Sequence, residues 1–131
     1  MALEGRVDMQ SVLIAEDNRD LADLMELALE PLGVELRVVY DGTAAIQEAR
    51  SRMPDLAVLD IGLPGADGLQ VCRALRAMPG GDDVRIVALT TWGTIQDRER
   101  GAAAGFDEHW TKPIGIDLLL DLVRRHLLAK A

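Results

Sequence analysis

The stretch Leu56-Ala57-Val58-Leu59-Asp60 decides the fold. Four apolar residues in a row, with no alternation, suit a strand buried on both faces, as happens in a parallel sheet covered by helices. Two runs of the same kind flank it in the chain, Val12-Leu13-Ile14-Ala15 and Ile86-Val87-Ala88-Leu89. Two further runs, Val34-Glu35-Leu36-Arg37-Val38-Val39-Tyr40 and Phe106-Asp107-Glu108-His109-Trp110, carry charges that edge strands tolerate and central strands do not. The second and fifth strands are therefore expected at the edges. The stretches between read as helices. In Asn18 to Leu32, residues Leu21, Leu24, Met25, Ala28 and Leu32 fall on one face, and Pro31-Leu32-Gly33 ends the helix. The others are Gly42 to Met53, Leu69 to Met78, Thr94 to Ala104, and Ile116 to Leu128 with Leu119, Leu122, Val123 and Leu127 as its apolar positions.

Five strand-helix units in strict alternation predict an α/β protein, a three-layer (βα)5 doubly wound parallel sheet. With the mixed strands outermost, the flavodoxin-like strand order 2-1-3-4-5 follows. A length of 131 residues suits one core. Residues 1–10 read as an N-terminal leader, 11–128 as the domain and 129–131 as a C-terminal end. Apolar residues at 49% and charged residues at 27% match an ordinary globular domain and not a disordered segment. Cys72 is the single cysteine, so no internal disulfide can form. The net charge of -8 repels a phosphate backbone, so direct nucleic-acid binding is not expected. No apolar run reaches membrane-spanning length, and Met1–Gln10 lacks the pattern of a secretory signal, which together predict a cytoplasmic location and no membrane partner.

In an open sheet of this kind ligands bind beyond the carboxyl ends of the strands. There the sequence places Glu16-Asp17, Asp60, Thr90-Thr91 and Thr111-Lys112-Pro113. Three neighbouring carboxylates raise one another's pKa, and a hard divalent cation resolves the conflict. All-oxygen ligands beside a phosphate favour Mg²⁺, with Mn²⁺ as the other candidate. Asp60, between the flanking ends, is the candidate nucleophile, because a carboxylate can accept a phosphoryl group to give an acyl phosphate. The metal, the Lys112 ammonium and the Thr90 hydroxyl would neutralise the charge of the transferring group.

Through Val12-Leu13-Ile14-Ala15-Glu16-Asp17-Asn18, Asp60-Ile61-Gly62-Leu63-Pro64-Gly65-Ala66-Asp67-Gly68, Leu89-Thr90 and Lys112-Pro113, the chain resembles a response-regulator receiver domain of two-component signalling. Each segment alone is weak, and all four in order at strand ends are specific. The resemblance implies that Asp60 is the phosphoacceptor, with Thr90, Thr91 and Lys112 beside the phosphoryl group. Asp17 and Asp60 would ligate the metal, with Glu16 acting through water and Gly62 through its backbone carbonyl. It implies a cis Lys112-Pro113 bond. The donor would be a histidine kinase or phosphotransfer protein, and the output a downstream protein or attached domain, reached through helix 4, strand 5 and helix 5. A phosphorylation-dependent homodimer is a further implied partner. Thr90 and His109 would form the switch, with His109 standing where the family often has Tyr or Phe. Gly62 and Trp92 would flank the path of hydrolytic water. Gly105 to Pro113 looks most like receivers attached to hybrid histidine kinases.

Competing readings each lack a residue. A phosphatase resembling the haloacid dehalogenases needs a second Asp two residues past the nucleophile, where Gly62 stands. A flavin-binding module needs a hydroxyl- and glycine-rich loop after the first strand, and Glu16-Asp17-Asn18-Arg19-Asp20 would repel a phosphate. A phosphorylation-independent interaction scaffold usually lacks the acid pair, the acceptor or the lysine, and all are present here. Cys72 and Trp110 read as packing residues, and His126 as a polar residue near a helix end.

Overall fold

The first three helices each begin where a short polar side chain caps them. Asn18 accepts from the Leu21 N–H at 3.1 Å and Asp41 from the Ala44 N–H at 2.7 Å. Asp67 accepts from the Gln70 N–H at 2.9 Å while the Gln70 side chain accepts from the Asp67 N–H, a reciprocal capping box. The computed structural model describes residues 10–91 and 95–128, of which 95–98 and 128 are described by their backbone alone. Its elements are β1 (Ser11–Ala15), α1 (Arg19–Leu29) with a 3₁₀ turn (Glu30–Leu32), β2 (Glu35–Val39), α2 (Gly42–Ser51), β3 (Leu56–Asp60) and α3 (Gly68–Arg76). They continue as β4 (Arg85–Thr90), α4 (Ile95–Ala104), β5 (Glu108–Thr111) and α5 (Ile116–Leu128). The expected leader before Gln10, the Trp92 ring, the Thr94 helix start and the end at 129–131 lie outside the described residues.

All strand pairs are parallel and the order is β2-β1-β3-β4-β5, so the flavodoxin-like arrangement holds. Every residue of β1 and β3 is buried, whereas β2 is half-buried throughout, as a central and an edge position require. One face of the sheet packs Leu13, Leu59, Ile86 and Phe106 against Ala45 of α2 and Val71, Cys72 and Leu75 of α3. The other packs Val12, Ile14, Val58, Leu89 and Trp110 against Met25 and Leu29 of α1 and Leu119, Val123 and Leu127 of α5.

The structure corrects the expected face of α1. Leu24 is 49% exposed, and the buried stripe runs instead through Ala22, Met25 and Leu29. The three- and four-residue spacing permits either stripe, and contact with the sheet selects the one that faces it. The last strand also begins two residues later than its apolar pattern suggests. Gly105, at φ 111°, and Phe106 close the end of α4 by donating to the Gly101 carbonyl, and Asp107 engages the Ile86 N–H through its carboxylate.

Arg76 ties this corner together. Its guanidinium donates to the carbonyls of Gly81, Val84 and Gly105 at 2.7–3.0 Å and pairs with Asp107 at 3.0 Å. One side chain thereby joins the end of α3, the approach to β4 and the turn into β5. Arg76→Ala should destabilise the fold by about 2–4 kcal/mol, because it strands acceptors it cannot replace. Arg76→Lys should recover only part of that, since an ammonium cannot reproduce the fork. Urea unfolding midpoints of the three proteins check the order.

Candidate functional site

The sheet continues one step past its apolar strands and so carries charged residues into a fixed geometry. The Glu16 N–H donates to Val39 O at 3.1 Å, and the Lys112 N–H donates to Thr90 O at 2.8 Å. Asp60 is the last residue of the central strand, and Thr90 the last of its neighbour. The result is the cluster expected from the strand ends. Carboxylate oxygens of Glu16, Asp17 and Asp60 all lie within 4.8 Å of one another. Lys112 Nζ stands 2.8 Å from Glu16 Oε1 and 3.5 Å from Asp60 Oδ2. Asp60, Ile61, Gly62, Thr90, Thr91 and Lys112 line a cleft of about 200 Å³.

Within this cluster the acids differ in setting. Glu16 is fully buried, Asp60 is 8% exposed, and Asp17 is open to solvent. Burial lifts the Glu16 carboxyl above its usual range and the Asp60 charge adds to the lift, against the pull of Lys112 and the Asn18 N–H, which donates to Oε2 at 3.0 Å. Lys112 is also raised: burial opposes its charge, but Glu16 and Asp60 outweigh it. The Asp60 carboxylate is steered by the Gly62 N–H, which donates to Oδ1 at 3.2 Å. Beneath it, a Cβ on Gly68 would stand 2.5 Å from the Asp60 carbonyl oxygen, so only glycine lets α3 start this close to the strand end.

Three clustered carboxylates facing a single ammonium, with oxygen donors alone, fit a hard divalent cation. Asp17 and Asp60 present the accessible oxygens. Glu16 is engaged by Lys112 and the Asn18 N–H. The Lys112-Pro113 peptide is cis, as expected.

His109 does not enter the cleft. It is half-buried against α4, where Gly101 leaves room for the imidazole and a Cβ would overlap it, and its ring lies 5.8 Å from Phe106. Sequence reasoning also missed the partner of Arg19, whose guanidinium lies 3.9 Å from the centre of the Tyr40 ring. An aromatic residue ending one strand and a cation opening the helix after its neighbour was the available signal. His126, read as unremarkable, is buried with Nε2 2.8 Å from Glu108 Oε2. Cys72 packs as expected, its thiol 3.4 Å from Ala104 O and pushed up to about 11 by burial.

The family model of the response regulator receiver domain matches residues 12–124, and the chain belongs to that family. It is 40% identical over 120 residues to the transcriptional regulatory protein TctD of Salmonella typhimurium, covering 92% of this chain and 52% of that protein. It is 35% identical over 116 residues to the DNA-binding dual master transcriptional regulator RpaA of Synechocystis, covering 88% and 48%. The chain thus spans about half the length of the curated relatives it matches. Among solved structures it resembles the receiver domain of a sensor histidine kinase from Pseudomonas aeruginosa, at 32% identity and a TM-score of 0.82 over 91% of this chain and 98% of the other. That receiver holds a magnesium ion in its active-site cleft. Among the described residues no helix is long and apolar enough to cross a membrane.

Millimolar Mg²⁺ should raise the thermal midpoint of the unphosphorylated protein, because the clustered carboxylates exist only in the folded state. Asp17→Asn should abolish most of that rise. Thermal unfolding with and without the metal measures both.

Proposed function

We propose that the chain is a phosphoacceptor switch, in which an Asp60 carboxylate oxygen attacks the phosphorus of a phosphohistidine on a kinase or phosphotransfer protein. The P–N bond breaks, the imidazole leaves, and an acyl phosphate remains on Asp60. One observation carries the reading: Asp60 is the carboxylate that opens into the cleft from the central strand, steered by Gly62 N–H and within reach of Lys112. Lys112 would turn from its acid partners toward the incoming oxygens, and the Thr90 hydroxyl, at the end of the neighbouring strand, would hydrogen-bond to them. Asp17 and Asp60, with the Gly62 carbonyl, would hold Mg²⁺ or Mn²⁺, which neutralises phosphoryl charge. Thr91 would crowd the entrance. Gly62, beside which a Cβ would meet nothing within 4 Å, leaves one side of the water path open, with Trp92 assigned to the other.

The receiver is assigned to residues 11–128, and the work to the cytoplasm. Output would pass through α4, β5 and α5 to a downstream protein, an attached domain or a second copy of the chain. The curated relatives favour a transcriptional output, and the Pseudomonas receiver keeps a hybrid kinase in view.

Intact mass after incubation with acetyl phosphate and Mg²⁺ tests the acceptor. The parent should gain one phosphoryl group and Asp60→Asn none, with an unchanged circular dichroism spectrum. Equal mass gain in both would overturn the assignment. No gain in the parent from either acetyl phosphate or a phosphohistidine donor would favour the phosphorylation-independent scaffold.

The switch is proposed to join Thr90 to His109 through α4. Drawing Thr90 toward a phosphoryl group shifts the β4–α4 connection, and the imidazole seated on Gly101 passes that shift to the helix. Gly101→Ala should expel the ring while sparing phosphorylation. Backbone chemical shifts of 100–111 should then cease to respond to an acyl-phosphate mimic.

A further inference from the structure

Arg19 opens α1 two residues after Asp17, at the positive end of the helix dipole, where a cation is least favoured. Exposed carboxylates surround it in sequence: Asp17, Asp20 and, one helical turn on, Asp23. Among the described residues its guanidinium nevertheless forms no ion pair and instead lies over the Tyr40 ring, 3.9 Å from the centre. The sheet explains why that ring is there. Val39 pairs with Ala15 and accepts from the Glu16 N–H, so Tyr40, the next residue, stands at the end of β2 beside the acid pair. The following carboxylate, Asp41, is occupied in capping the Ala44 N–H and does not compete for the cation. Two cations therefore come from opposite sides of the acid cluster: Lys112, from the β5 side, engages Glu16 and Asp60, while Arg19, from the β2 side, engages an aromatic face.

We propose that Tyr40 is a positioning residue for the metal site: its ring holds the Arg19 guanidinium off Asp17 and so keeps that carboxylate available to a divalent cation. The inference rests on the metal-dependent reading above and deepens it. A cation–π contact at an exposed site and an exposed ion pair are of similar strength. Removing the ring takes away the partner of the guanidinium and leaves the arginine free to pair with Asp17, two residues before it in the chain. A metal ion would then have to displace the arginine from Asp17.

Mn²⁺ titration of the unphosphorylated protein, with free ion followed by electron paramagnetic resonance, tests this without reference to phosphorylation. Tyr40→Leu should weaken Mn²⁺ binding by about three- to fivefold, the scale of an exposed ion pair. Tyr40→Phe, which keeps the ring, should bind as the parent does. Tyr40→Leu combined with Arg19→Gln should return to parental affinity or better, which a misfolded variant could not do. Parental affinity in Tyr40→Leu, or a double variant as weak as Tyr40→Leu, would overturn the inference while leaving the metal site standing. If the parent binds no Mn²⁺, or Asp17→Asn binds as tightly as the parent, the metal reading fails and the inference fails with it.

Discussion

A fully buried glutamate with a lysine ammonium 2.8 Å away is the constraint around which the carboxyl end of this sheet is arranged. Burial disfavours the Glu16 charge, and the molecule keeps it by bringing Lys112 across from the far edge strand and the Asn18 N–H from the start of α1. Each of those partners is itself fixed by the sheet or by a helix cap. Glu16 hangs from the β2 ladder, Lys112 from the end of β4, and Asn18 from its bond to Leu21. The arrangement concentrates like charge in the folded state and so sacrifices stability, a trade familiar where a site must later accept another charged group.

The stabilising polar contacts gather at the opposite end. Arg76 spans the end of α3, the approach to β4 and the turn before β5. Arg37 donates to the carbonyls of Glu48 and Arg52, to the Glu48 carboxylate and to the Ser11 hydroxyl, and Arg52 pairs with Glu35. The Ser11 N–H donates to Asp55. Arg76 and Arg37 meet the carbonyls of helix ends and turns, where a cation is favoured, and Arg37 and Arg52 pin the edge strand β2 to the end of α2. These arginine contacts thus lie at the end of the strands away from the acid cluster.

The β5–α5 seam adds a third polar device. Glu108 receives the Trp110 indole N–H at 3.0 Å and pairs with Arg125 and His126, which together hold its carboxyl below the usual range although burial pushes it up. A depressed carboxylate contributes stability above its unfolded pKa and loses it as the pH falls through the folded value. The Glu108 carboxylate's contribution to the seam is therefore lost as the pH falls into acid. It fixes one side of β5 to α5, while His109, pointing the other way, rests on α4 over Gly101. Residues 108–110 thereby join β5 to both helices of the proposed output face.

The sequence by itself determined the α/β alternation, the strand order, the identity of the edge strands and the membership of the acid cluster. Continuous apolar runs such as Leu56–Leu59, bounded by turn signals and alternating with helical stretches, suit strands covered on both faces, and in such a sheet ligands gather at the carboxyl ends. It did not determine which stripe of α1 is buried. Leu24 and Ala22 satisfy the same helical period, and only contact with the sheet and α5 separates them. Nor could it show that Lys112 stands nearer to Glu16 than to Asp60, that Tyr40 takes up Arg19, or that His109 rests on Gly101. Each of those contacts joins residues on different elements. Its existence depends on the register and twist that bring the elements together, and periodicity within one segment carries no information about either.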